Sequence, residues 1–177
     1  ADFVYLMNSA IKAVRDASLS SSVKPKIIIH VAQPENVISW FDGMTVAGLT
    51  DFDIVGVSYY YMWSDTGLDD LSDRIAEIKS FTGKDVIVVE TAYPWTTGNA
   101  DGYNNIIATS KILPAYPATK NGQYGYLVRL TQEIIDGGGT GLHYWEPAWI
   151  TSSMKDPWGT GSAWDCNTLF DFSGNVI

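Results

Sequence analysis

The chain has 177 residues, 46% of them hydrophobic, which is enough for one domain with a substantial core. Its formal net charge of −9 argues against a phosphate backbone or an anionic membrane surface as partner. No apolar run approaches the roughly 20 residues of a membrane span, and the single Cys166 excludes an internal disulfide and reads as a small buried hydrophobe.

Phe3, Met7, Ala10, Val14 and Ala17 recur at helical spacing, with Lys12, Arg15 and Asp16 on the other side, and predict a first helix that loosens at Ser20-Ser21-Ser22. Lys26 to Val31 reads as a buried strand, and Val37 to Gly43 as a short helix with Asn36 as its N-cap. Ile54 to Tyr60 is the next strand. Leu68, Leu71, Ile75 and Ile78 mark an amphipathic helix that stops near Gly83. Val86 to Glu90 is a third strand, followed by a Gly/Asn/Pro-rich stretch from Thr96 to about Asn121. Leu127, Leu130 and Ile134 predict another helix, ended by Gly137-Gly138-Gly139. Leu142 to Trp145 reads as a fourth strand, and the tail to Ile177 as irregular. Short, continuous apolar strands alternating with helices predict a parallel sheet covered on both faces. No linker or short repeat divides residues 1–177, which read as one domain.

The strand ends carry the chemistry. KIIIH ends on His30, IVGVSYY on Tyr59 and Tyr60, VIVVE on Glu90, and GLHYWE on Trp145 and Glu146. Ligands of α/β sheets, open or closed, bind at the C-terminal ends of the strands. Packing can account for some of these residues: His30 as a satisfied core histidine, and one of Tyr59 and Tyr60 because neighbours alternate faces. It does not account for Glu90, because a carboxylate that ends a run of four aliphatics needs a partner or a job. Aromatics crowd the loop-like stretches: Tyr59-Tyr60-Tyr61, Trp63, Tyr93, Trp95, Trp145, Trp149, Trp158 and Trp164. About half read as core, and the others suit stacking on the flat faces of sugar rings.

FDIVGVSYYYMW, GKDVIVVETAYPWT, YWEPAW and the closing GSAWDCNTLFDFSGN resemble glycoside hydrolase family 53, the arabinogalactan endo-β-1,4-galactanases. With MNSAIKAVRDAS and PKIIIHVAQPEN the resemblance covers essentially the whole chain. It implies an α/β fold, the (β/α)8 TIM barrel of the retaining glycosidases of clan A, with only the C-terminal half present: about four strands of eight. It implies hydrolysis of β-1,4-galactosidic bonds in arabinogalactan, with Glu90, matched through ETAYPW, as nucleophile at the tip of the seventh strand. A second carboxyl group, the acid/base, belongs roughly 5–5.5 Å away.

In the family that residue ends the fourth strand in a Gly-Asn-Glu-type motif, which does not occur here. Glu35 follows a proline after the first strand, Glu77 and Glu133 lie in helical patterns, and Glu146 belongs to YWEPAW. The chain alone is therefore expected to be inactive. A missing N-terminal half or a second copy is expected to cover its open apolar edges. The resemblance places a nucleophile-binding tyrosine at Tyr59 or Tyr60 and a sugar-flooring aromatic at Trp145. His30 is expected to contact sugar or the catalytic centre, and Trp63 and Trp95 to stack on sugar or to pack.

From Gly98 to Asn105, oxygen-bearing side chains alternate at Asn99, Asp101, Tyr103 and Asn105 around Gly102. Alternating oxygens suit Ca²⁺, and a solvated turn fits the composition as well. The resemblance implies a structural Ca²⁺ here, completed by Ser162 and Asp165. Asp101 and Asn105 match the family pattern, whereas Asn99 stands for an acidic residue and Tyr103 for a histidine, so weaker affinity is expected. No cofactor is expected for the chemistry. A polymeric substrate implies a secreted, periplasmic or cell-surface enzyme, its leader upstream of a chain that lacks its start. The alternatives are a clan A glycosidase acting on mannan or glucan, and a non-catalytic carbohydrate-binding half-barrel. The second leaves Glu90 without a purpose.

Overall fold

The computed structural model describes residues 2–107, 111–157 and 159–177, so Trp158 lies outside the described residues. The chain forms two compact units: Ala1–Val89 with Glu133–Leu142, and Glu90–Gln132 with His143–Ile177.

The first unit opens with α1 (Asp2–Ser18), followed by β1 (Ile28–Ala32), α2 (Val37–Val46), β2 (Ile54–Ser58), α3 (Leu71–Thr82) and β3 (Asp85–Glu90). The strands form one sheet in the order β1-β2-β3. β1 and β2 are parallel, with His30 opposite Gly56 and Ala32 opposite Ser58. Ile29, Val31, Val55, Val57, Val86 and Val88 fill one face of the sheet and are buried. Leu71, Ile75 and Ile78 of α3, and Val37 and Phe41 of α2, are buried with them. The opposite face is less covered: Ile28 and His30 are exposed, and Ile87 and Val89 are half-buried. The aliphatic run before Glu90 therefore alternates in burial. Gly56 keeps that less covered face close-packed, because a Cβ there would lie 2.8 Å from Ile28 Cγ2 and 3.0 Å from Val89 Cγ1.

Three expectations change. The buried side of α1 is Val4 and Ile11, while Phe3 and Val14, placed on the apolar stripe by spacing, are exposed. The helix has apolar residues on two sides and this unit covers one of them. Asn36 does not cap α2, because a 3-10 turn at Pro34–Asn36 runs directly into the helix and the Asn36 amide bonds to Gln33 Oε1 at 3.2 Å instead. The fourth strand is reduced to one parallel bridge, Val88 to Leu142. The pairing starts as predicted, with Thr140 N–H donating to the Val86 carbonyl at 2.8 Å and Val88 N–H to that of Gly141 at 3.1 Å. Two glycines at positive φ, Gly138 and Gly141, lie just before Leu142.

The second unit begins with Glu90 and runs through irregular backbone to α4 (Lys120–Asp136), whose last turn belongs to the first unit. Its tail is more ordered than expected. A hairpin pairs β4 (Lys155–Asp156) with β5 (Gly159–Thr160), and a 3-10 turn spans Asp165–Asn167. No helix among the described residues is long and apolar enough to cross a membrane.

Candidate active site

In the first unit, His30 extends from the less covered face of β1, and its Nε2 lies 2.7 Å from the Ser58 hydroxyl. Tyr59 is fully buried, and its hydroxyl donates to the Thr66 carbonyl at 3.2 Å. Burial, with Glu133 and Glu35 nearby, pushes that phenol well above its ordinary pKa. Of the two candidate tyrosines, Tyr59 is thus the packing residue. Tyr60 is also mostly buried, and the Trp63 ring lies against it at 4.9 Å and remains 40% exposed. Glu35 accepts from the Ser64 hydroxyl at 2.7 Å and from the Asp65 N–H at 3.0 Å. Burial pushes the Glu35 carboxyl up, but these bonds more than offset it and hold the group below the usual carboxylate range. Glu35 therefore braces a loop, which agrees with its exclusion as a catalytic acid.

In the second unit, half-buried Glu90 is followed by Thr91, Ala92 and Tyr93, all 0% exposed. Two bonds join this segment to Tyr144 and Trp145. Trp145 N–H donates to the Thr91 carbonyl at 2.8 Å, and Tyr93 N–H donates to the Tyr144 hydroxyl at 3.0 Å. Buried Gln123 completes the knot, its amide within 2.8–3.2 Å of the Tyr93, Asn167 and Thr168 carbonyls and of the Tyr144 hydroxyl. The Tyr93 ring stacks on Tyr126 at 4.1 Å. Trp95 is committed to packing: its backbone N–H donates to the Cys166 carbonyl at 2.9 Å, its indole N–H to the Asp165 carbonyl at 3.2 Å, and its ring lies 4.8 Å from Phe172. Cys166 is buried, as expected, and burial pushes its thiol up to about 12.

Trp145 is 38% exposed and forms one wall of a cavity of about 430 Å³. Trp149, Trp164, Tyr103, Ile106 and Glu146 complete most of the lining. The volume lies within the roughly 300–1,000 Å³ common for ligand pockets. Neither Trp149 nor Trp164 is singled out by the sequence, though both lie in the YWEPAW and GSAWDC stretches. Glu146 holds a φ of 49°, a conformation rarely adopted by a side-chain-bearing residue.

The loop from Asn99 to Asn105 closes on Asp165. Asp101 Oδ2 accepts from the Ser162 N–H at 2.8 Å and the Thr151 hydroxyl at 2.6 Å, and Asp165 Oδ2 lies 3.0 Å from that same hydroxyl. Asn105 Nδ2 donates to Asp165 Oδ1 at 2.8 Å. Asn99 instead closes its own turn, accepting from the Asp101 N–H and donating to the Tyr103 carbonyl, and the Ser162 hydroxyl serves Trp149 and Trp164. Burial pushes Asp101 up, but its bonds from Thr151, Ser162 and Tyr103 hold it below the usual range.

No three His, Cys, Asp or Glu side chains gather for a metal among the described residues. Two observations still suit a hard cation. Two carboxylates share one hydroxyl proton with no salt bridge to either among the described residues, and Asn105 Oδ1 is buried without a hydrogen-bond partner. The residues that fit Ca²⁺ are therefore Asp101, Asn105 and Asp165, a smaller set than the sequence suggested.

An arabinogalactan endo-beta-1,4-galactanase of Cellvibrio japonicus is 42% identical over 166 residues, covering 94% of this chain and 44% of that protein. The arabinogalactan endo-beta-1,4-galactanase A of Emericella nidulans is 32% identical over 182 residues, covering 97% and 48%. The chain thus spans about half the length of the curated relatives it matches. The GH53 catalytic domain of Ignisphaera aggregans superposes with a TM-score of 0.85 at 30% identity, over 99% of this chain and 49% of that one. A Cellvibrio japonicus xylanase gives 0.54 at 10% identity, a likeness of fold alone, so the architecture is a partial (β/α)8 barrel. The model of glycosyl hydrolase family 53 matches residues 1–177 from end to end, and the chain belongs to that family.

Proposed function

We propose that this chain is the C-terminal half of the catalytic barrel of a retaining endo-β-1,4-galactanase, with Glu90 as its nucleophile and β-1,4-galactan as its substrate. The observation that carries the reading is Glu90 itself. It ends a strand of the matched family's barrel, in a segment bonded to Trp145, and Trp145 walls an aromatic cavity. In double displacement the ionised Glu90 attacks the anomeric carbon, the glycosidic C–O bond breaks, and a carboxylic acid delivers its proton to the leaving oxygen. Water then attacks the glycosyl ester, gives its proton to that same group, and frees Glu90. The acid/base belongs to the rest of the barrel. So do the strands that would cover the exposed Ile28 edge and the outer side of α1, where Phe3, Tyr5 and Leu6 are exposed. The polymer cannot enter a cell intact, so the enzyme works outside the cytoplasm.

Reducing-end release from a polysaccharide panel tests the reading. The protein carrying this chain with its remaining strands is expected to cleave β-1,4-galactan and to leave β-1,4-mannan and β-1,4-glucan intact. Preferential cleavage of either of those would reassign the substrate. Residues 1–177 by themselves are expected to release nothing.

Asp101, Asn105 and Asp165 hold a structural Ca²⁺ in this reading, which takes no part in the covalent chemistry. Removing it leaves two carboxylates facing each other uncompensated. A chelator is expected to lower Tm by several degrees, roughly the effect of 1–2 kcal/mol in a protein of this size, and added Ca²⁺ to restore it. An unchanged Tm assigns the loop to its hydrogen bonds from Thr151, Ser162 and Asn105 with no bound ion.

A further inference from the structure

Two residues other than glycine hold positive φ among the described residues: Glu146 and, directly after β1, Gln33. Gln33 sits at φ 66° and ψ 127°. Glycine adopts such a conformation freely, and glutamine does so at a cost in backbone strain. A side chain kept in that place needs a reason, and its contacts supply one. Gln33 Nε2 donates to the carbonyl of Trp63 at 2.8 Å, and Oε1 accepts from Asn36 Nδ2 at 3.2 Å. Its backbone N–H donates to the Ser58 carbonyl at 3.2 Å, tying the strained residue to the end of β2.

The turn after β1 therefore grips the loop after β2 at two points. Glu35 takes Ser64, Asp65 and Thr66, and Gln33 takes Trp63. Trp63 carries a ring 40% exposed, resting on Tyr60 at 4.9 Å. With the Trp63 backbone fixed at its carbonyl and the ring against Tyr60, the indole has less freedom to lose when a flat ligand stacks on it, which is how a fixed platform gains affinity.

We propose that Gln33 is a positioning residue that sets Trp63 as a sugar-stacking platform beyond the tip of β2. The inference rests on the galactanase reading above. Glu35 by itself anchors the residues after Trp63 but leaves the Trp63 carbonyl unheld. The amide N–H of Gln33 is the group that fixes it, which predicts that the hydrogen-bond donor matters and the bulk of the side chain does not.

Two variants in the full-length protein separate this role from a structural one. Gln33→Gly keeps the backbone conformation available and removes the amide. Gln33→Glu keeps the size and removes the donor. Both are expected to raise KM for galactan about five-fold with kcat within about two-fold of wild type, and Gln33→Gly to leave Tm unchanged or higher. Trp63→Ala is expected to raise KM at least as much, and adding Gln33→Gly to it to change KM little further. An unchanged KM in Gln33→Gly, an unchanged KM in Trp63→Ala, or a fall in Tm or kcat in place of the rise in KM overturns the proposal. A wild-type protein inactive on galactan would instead overturn the functional reading beneath it, so the two failures are distinguishable.

Discussion

Glu90→Ala is expected to abolish galactan hydrolysis in the full-length protein, with kcat down on the order of 10⁴-fold or more, as for the loss of other catalytic nucleophiles. Folding is expected to survive, because Glu90 is half-buried while Val86 and Val88, its strand's anchors, are untouched. The truncation also opens space beneath the anomeric carbon. With an activated β-galactoside, azide is expected to enter that space and restore turnover, yielding the α-galactosyl azide by a single inversion. This product distinguishes a lost nucleophile from a lost acid/base, whose rescue by azide gives the β-configured product. Unaided activity within ten-fold of wild type would exclude Glu90 from the covalent step.

The second large effect is expected at Gln123, which is 3% exposed and has four acceptors within reach of one amide nitrogen. An amide carries two protons, so it satisfies two acceptors at a time and holds the others in a polar cluster. Gln123→Leu removes both donors, takes that partner from the Thr168 carbonyl, and leaves the Tyr93 and Asn167 carbonyls to compete for the Tyr144 hydroxyl. Each buried group left unpaired costs about 1–3 kcal/mol, so a total of roughly 3 kcal/mol is expected, read as a Tm lower by about 6–12 °C. Activity is expected to fall as well, because Tyr93 lies three residues after Glu90 and the knot fixes that segment against Tyr144. Gln123→Glu is expected to be worse at neutral pH, since it brings a carboxylate against carbonyl oxygens, and to improve as acidification protonates that carboxylate. A Gln123→Leu variant with wild-type Tm would show that the knot contributes nothing measurable.

Continuous apolar runs made the first three strands legible, although one face of their sheet is less covered than such runs suggest, and helical spacing made the α3 face legible. Leu71, Ile75 and Ile78 are buried as their spacing required. The pattern failed where the partner decides. α1 carries apolar side chains on two sides, and spacing alone could not tell that Val4 and Ile11 would face inward while Phe3 and Val14 would not. Leu142 to Trp145 has strand-like composition, yet strand length depends on pairing, and one bridge forms.

The site shows the same division. Glu90 stood out because a carboxylate after four aliphatics has few structural explanations. Sequence left Trp95 open between stacking and packing and the nucleophile-binding role open between Tyr59 and Tyr60; the polar atoms of Trp95 and Tyr59 are committed to carbonyls of Asp165 and Thr66. Trp149 and Trp164 help line the cavity; both lie in the YWEPAW and GSAWDC stretches of the resemblance, which give neither of them a role. Asn99 was drawn into the metal loop by its spacing, whereas its amide is spent closing its own turn. Gln33 could not have been found from composition, since its interest lies in a backbone angle.

Glu90 as the covalent nucleophile supports the substrate, the stereochemistry and the pairing with a second carboxyl group. The most direct measurement is mass spectrometry of the full-length protein inactivated with a 2-deoxy-2-fluoro-β-galactoside carrying an activated leaving group. The tryptic peptide spanning residues 85–111 is expected to gain the mass of one fluorogalactosyl group, and fragmentation to place it on Glu90. A stoichiometric label on any other side chain would contradict the account, as would inactivation with Glu90 unmodified.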